Sequence, residues 1–165
     1  MGTLQQNLAI GREALTYTIN HLSFGRGNSW SDNINLLHPA LPFMCVMAMR
    51  TTSSANSIAQ IATEAEENHC GNCGEHASVA MMYLHRQGIR PLDFMTLTNG
   101  DHDFVIIDRA NNSNGGQPST WGTTAVVCDT WSRVVYPATE LVNRMREMCR
   151  GQNPIPRSVY RDVQG

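Results

Sequence analysis

The chain has 165 residues, 41% of them hydrophobic, and a formal net charge of −2, which suits one domain with a single core and is too short for two. A balance that close to neutral, with a pI near 6.3, gives no electrostatic footprint for nucleic acid or an anionic membrane surface. No run approaches the roughly 20 apolar residues of a membrane span, and Met1-Gly2-Thr3-Leu4-Gln5 lacks the basic and apolar regions of a signal peptide.

One domain over residues 1–165 is therefore expected: a helical and loop-rich part over 1–50, a core over 51–150 and an extended tail over 151–165. Thr3-Leu4-Gln5-Gln6 has the form of a capping box, and Leu4, Leu8, Leu15, Ile19 and Leu22 follow at helical spacing. Residues 24–41 hold no sustained period and read as loop, with a short helical turn around Ile34 to Leu37. The apolar window 41–49 is short and contains Pro42, so it reads as core strand or buried turn. Thr51-Thr52-Ser53-Ser54 offers N-caps for a helix whose stripe is Ile58, Ile61, Ala62 and Ala65, ending near Glu67.

The next helix starts at Cys73, buries Ala77, Ala80, Met81 and Leu84, and stops at Gly88 before Pro91. Three β-rich runs follow, 94–97, 102–108 and 123–129. They are divided by the hairpin signal Asn99-Gly100 and by the polar loop 111–119, the segment with the composition most typical of disorder. Thr139 offers a cap for a last helix with Leu141, Val142, Met145 and Met148 on one face, ending at Gly151.

All twelve basic residues are arginine, where average usage predicts on the order of ten lysines. Two explanations compete: a G+C-rich coding genome, or a protein that acts in a eukaryotic cytosol and lacks sites for ubiquitin attachment. The five cysteines are an odd number in a chain large enough to fold without disulfides, so a reducing compartment with one reactive thiol is expected. Cys70 and Cys73 form a CxxC pair. It admits a redox partnership that silences Cys73, and, outside enzymology, a metal-stabilised interaction module; zinc would require two further ligands.

The chemistry concentrates at three element boundaries. Cys73, in Gly71-Asn72-Cys73-Gly74-Glu75-His76-Ala77, sits where a turn becomes a helix, and backbone N–H groups there stabilise a thiolate and later an oxyanion. Strand alternation places His102, Phe104 and Ile106 on one face, and Ala125, Val127 and Asp129 on one face of the neighbouring run. His102 can then take the proton of Cys73, with Asp129 fixing the imidazole. His69 and His76 flank Cys73 as rival bases, but His102 has Asp129 as an orienter. Asn72 and Gln60 are candidate oxyanion donors. Glu75 reads as a dipole-stabilised residue or a supporting partner, and Trp131 as a cleft wall or a packing residue.

These residues carry a resemblance. The runs around Cys73, then His102-Asp103-Phe104-Val105-Ile106, then Val127-Cys128-Asp129-Thr130-Trp131 resemble the papain-like, transglutaminase-like core of cysteine enzymes in bacterial effectors and toxins. The match spans about residues 70 to 131, and glutamine deamidase domains are the most similar group. Thr130 stands where such proteins often have proline. The resemblance implies an α+β fold with the nucleophile helix on a small antiparallel sheet, and a Cys73-His102-Asp129 hydrolase that needs no cofactor or metal. Its expected activity is deamidation of a glutamine in a target protein of a host or competitor cell. Proteolysis or transglutamination by the same triad is the alternative. It also implies a virulence factor secreted by a bacterium and acting in the target-cell cytosol.

Overall fold

The structure, a computed structural model, describes residues 2–34 and 40–163; most of the helical turn expected around Ile34 to Leu37 lies outside them. Its helices are α1 (Leu4–His21), α2 (Trp30–Asn33), α3 (Leu41–Thr52), α4 (Ile58–Asn68), α5 (Cys73–Arg86) and α6 (Leu141–Met145). The strands are β1 (Gly25–Arg26), β2 (Cys70–Gly71), β3 (Leu92–Leu97), β4 (Asp103–Ile107), β5 (Val126–Asp129), β6 (Val134–Pro137) and β7 (Pro156–Asp162). The fold is α+β. Strands β3 to β7 form one antiparallel sheet in the order β6-β5-β4-β3-β7, and β1 pairs with β2 in a short parallel ladder.

The period-2 pattern of the central strands explains both layers. Val105, Ile107, Val126 and Cys128 face α1 and α5, where they meet Leu8, Ala14, Ala77, Ala80, Met81 and Leu84. Phe104, Ile106, Ala125 and Val127 face the other way and are covered by Trp121, Tyr136, Leu141 and Met145. Both faces are thus dry, which favours the near-continuous apolar runs of β4 and β5.

At the start of α1, Thr3 accepts from the Gln6 N–H at 3.2 Å and its own N–H donates to the Gln6 side chain at 2.8 Å, the expected capping box. The buried stripe of α1 runs through Asn7, Leu8, Gly11, Ala14 and Thr18 rather than along the larger aliphatic residues alone. Close approach to the sheet demands small side chains: a Cβ at Gly11 would lie 2.7 Å from Val135 Cγ1.

Several sequence expectations are corrected. The window 41–49 is helical, because Pro42 sits in the first turn, where its missing N–H costs nothing. Ser57, not the Thr51 to Ser54 run, caps α4. The tail over 151–165 is not simply draped on the surface, since β7 adds to β3 as the sheet's edge strand. The loop 111–119 is held, not loose: Trp121 Nε1 donates to the Asn114 carbonyl at 2.9 Å and Arg109 donates to Ser113 Oγ at 2.8 Å. The last helix is short, its Thr139 end forming a 3₁₀ turn over Ala138–Glu140.

Among the described residues, no helix is long and apolar enough to cross a membrane.

Candidate active site

Cys73 opens α5 because β2 ends at Gly71 and Asn72 takes an extended conformation as N-cap. Glu75 accepts from the Asn72 N–H at 2.8 Å and is itself held by Arg50 at 2.8 Å, so it supports the turn rather than the chemistry. The turn also requires glycine. A Cβ at Gly71 would stand 2.5 Å from Glu75 Cβ, and one at Gly27 would stand 2.9 Å from Asn72 Oδ1.

His102 closes the β3–β4 hairpin and Asp129 ends β5, on the same sheet face as their sequence alternation predicts. The imidazole Nε2 donates to Asp129 Oδ2 at 2.8 Å, with both side chains almost fully buried at 3% and 2% exposure. Asp129 Oδ1 is fixed in turn by the Ser132 N–H at 3.0 Å. Nδ1 is thereby left to face Cys73 in the cleft, while the Cys73 thiol itself reaches the Asp101 carbonyl at 4.0 Å. Burial opposes charging this imidazole, but the bond to Asp129 and the neighbouring Asp129 and Cys73 outweigh it and push its pKa up to about 10.

Cys73, His102 and Trp131 line one cleft of about 790 Å³. The Trp131 ring stands edge-on to His102, with centroids 5.5 Å apart, and its Nε1 donates to Asn28 Oδ1 at 2.8 Å. Trp131 is therefore a wall of the cleft. Asn28 also lines it, and its own N–H donates to Asn72 Oδ1 at 2.9 Å. Arg26 ties the same wall down: it grips Asp32 through Nε and Nη2 and donates to the Trp131 carbonyl at 2.8 Å.

Asn28 and Arg26 were missed from sequence because they lie in an aperiodic stretch, and the contacts that give them meaning are more than forty positions away in the chain. The only local hint is the glycine pair Gly25 and Gly27 around Arg26.

Other candidates are placed elsewhere. Gln60 does not reach the cleft; its side chain accepts from Asn56 and Ser57 at the start of α4. Asn72 uses its side-chain oxygen on Asn28 and acts as a brace for that residue. His69 turns away to the His21 carbonyl at 3.0 Å. His76 is buried inside α5 with neither ring nitrogen hydrogen-bonded; burial first, then the charges of Arg26 and Arg133, lower its pKa to about 4.

The Cys70 to Cys73 partnership is corrected. Cys70 is bonded to Cys45, and Cys73, Cys128 and Cys149 are free. The helix α3 is thus stapled to the strand that leads into the Cys73 turn, and Cys70 is withdrawn from the suggested metal module. No group of three or more His, Cys, Asp or Glu among the described residues is arranged to hold a metal. Burial raises the thiols of Cys128 and Cys149. Cys149 reaches the cleft too, but its sulfur is engaged by Asn99 Oδ1 at 3.5 Å.

No protein-family model matches the chain, and no curated protein matches it.

Proposed function

We propose that the chain is a thiol-dependent amidohydrolase of the papain-like kind, a bacterial effector or toxin domain that deamidates a glutamine of a target protein. The observation that carries this reading is the buried His102–Asp129 pair at 2.8 Å set beside Cys73 in one cleft. A lone cysteine at a helix start is most often structural. One joined to an imidazole that a buried carboxylate orients is arranged for acyl transfer.

In this reaction His102, charged at neutral pH, already holds the proton of Cys73 on Nδ1, and the sulfur attacks the carboxamide carbon as the thiolate. The oxyanion is met by the Cys73 N–H at the start of α5 and by the Asn28 carboxamide, whose oxygen is already taken by Trp131, leaving its N–H groups to donate. The C–N bond breaks, and ammonia leaves with the proton from His102. Water then attacks the thioester, gives a proton to His102, and releases glutamate and the Cys73 thiol. The target gains one negative charge, sufficient to alter an interface or a switch.

Secretion and action in a target-cell cytosol fit this reading. The Cys45–Cys70 bond suits an oxidising passage outside the producing cell. The absence of lysine suits a protein that persists where ubiquitin is attached.

A peptide carrying 6-diazo-5-oxonorleucine, an electrophilic glutamine mimic, tests the assignment. It should alkylate Cys73 in the wild type and fail to do so in His102→Ala. Labelling of equal rate in both, or labelling confined to Cys149, would overturn it.

A further inference from the structure

A second cavity, of about 470 Å³, lies against the catalytic pair on the α5 side of the sheet. Gly74 and Asp103, the chain neighbours of Cys73 and His102, line it, while Cys73 and His102 themselves line the first cleft. Strand alternation produces this division: His102 turns toward Asp129, so Asp103 turns toward α5. Ile58 and Ile61 from α4, Phe94 from β3 and Val159 from β7 supply its apolar walls, and Ser53, Asn56 and Ser57 form a polar rim ahead of α4.

Three charged side chains line this groove, and two of them cancel, since Arg50 and Glu75 are paired at 2.8 Å. Asp103 is left over. It forms no ion pair among the described residues; Thr96 stands opposite it on β3, and the His102 charge is close by. Burial, its largest influence, raises the carboxyl, so a further countercharge would be favoured there. A Cβ at Gly74 would stand 3.2 Å from Asp103 Oδ2, and the glycine keeps that oxygen open. Ser78, also in the lining, is 1% exposed and its hydroxyl has no hydrogen-bond partner, an unmet polar group of the kind a ligand satisfies.

We propose that the groove is a second arm of the substrate site and takes a basic side chain, its aliphatic stem along Ile58, Ile61, Phe94 and Val159 and its cationic head at Asp103. A groove with apolar walls and one carboxylate outside any ion pair complements lysine or arginine and disfavours acidic side chains. The inference rests on reading Cys73 as the nucleophile. Two sources present this chemistry. One is a basic residue of the target beside the attacked glutamine. The other is a separate primary amine, which would first give its ammonium proton to Asp103; its nitrogen would then attack the thioester carbon, expel the Cys73 sulfur as thiolate and lose a second proton to His102.

Two readouts test it. In the first, Cys73→Ala protein is titrated with N-acetylarginine amide and followed by NMR. Saturable binding is expected, with shifts at Gly74 and Val159, weakened at least about fivefold by adding Asp103→Asn. Val159→Arg, at an exposed position on the edge strand, should compete from within the chain and weaken binding as well, which keeps the test decisive should Asp103→Asn fail to fold. Absence of saturable binding, or unchanged affinity in the folded variants, would overturn the proposal.

In the second readout, ammonia release is compared for glutamine peptides with arginine or alanine as neighbour. A preference of about tenfold for arginine is expected, collapsing in Asp103→Asn; equal rates in the wild type would overturn the proposal. With cadaverine present, amine-addition products assign the groove to a separate acceptor, and simple deamidation assigns it to the target's own flank. Failure to turn over any peptide would count against the amidohydrolase reading alone, because the titration decides the groove without chemistry.

Discussion

Asp129 holds His102 through one oxygen and is itself held by the Ser132 N–H through the other, so its carboxylate sets both the tautomer and the tilt of the imidazole. Asp129→Asn would keep the shape and lose that control, and turnover should fall by about 10²–10⁴-fold with the fold retained. Circular dichroism beside an ammonia-release assay checks both halves. The two buried histidines pull stability in opposite directions. His76, lowered from 6.5 to about 4, contributes stability that is present above pH 6.5 and lost as pH falls through 4, because the unfolded chain binds the proton first. His102, raised from 6.5 to about 10, contributes stability that is full below pH 6.5 and lost as pH rises through 10. Chemical denaturation across this range should show a maximum near pH 6.5, with an acid limb of up to about 1.4 kcal/mol per pH unit from His76. His76→Phe should flatten the acid limb; a limb unchanged by it would contradict the assignment. Cys73, His102 and Asp129 were legible from sequence because each stands where a periodic element begins or ends. Asn28 and Arg26 were not, since their roles come from contacts with Asn72 and Trp131 that no local pattern encodes.

The elements that carry the site are fastened to one another by a few bonds of long sequence separation. Asp93 on β3 is fully buried and grips Arg109 through Nε at 3.0 Å and Nη2 at 2.7 Å, while Ser158 on β7 donates to it at 2.9 Å. This joins the edge strand and the loop 111–119 to the sheet, and explains why neither the tail nor that polar loop behaves as its composition suggested. Arg109→Met would leave the buried carboxylate with Arg161, 3.7 Å away, as its remaining cation, and should destabilise the protein by about 3 kcal/mol in urea titration. The Cys45–Cys70 bond joins α3 to β2 across a sequence separation of 25; Cys45→Ala with Cys70→Ala should cost about 2–4 kcal/mol by the same measurement. Helix α5 was read correctly because its apolar stripe and its glycine stop agree. Helix α3 was misread because its stripe is inconsistent with a helix buried on one side: Phe43, Met44 and Met47 are exposed.

At the scale of the whole molecule, the sheet is a plate whose faces serve different ends. One face is sealed by α1 and α5 and the other, to which Tyr136 of β6 belongs, by Trp121 and α6. Cys73, His102 and Asp129 gather where the N-terminus of α5 meets the ends of β4 and β5. The alternation that packs Phe104 and Val127 on one side and Val105 and Cys128 on the other is the same alternation that brings His102 to Asp129, which is why the core and this pair were legible together. The sheet's outer strands were not: β6 is short, and β7 owes its place to β3 and Asp93 rather than to any period of its own. The central claim is that Cys73 hydrolyses a protein carboxamide through a thioester. Its most direct test is intact-mass spectrometry of a library of glutamine peptides treated in water enriched in oxygen-18, with Cys73→Ala as control. A mass gain of about 3 Da with ammonia release, absent in the control, is predicted; unchanged masses, or the same gain with Cys73→Ala, would contradict it.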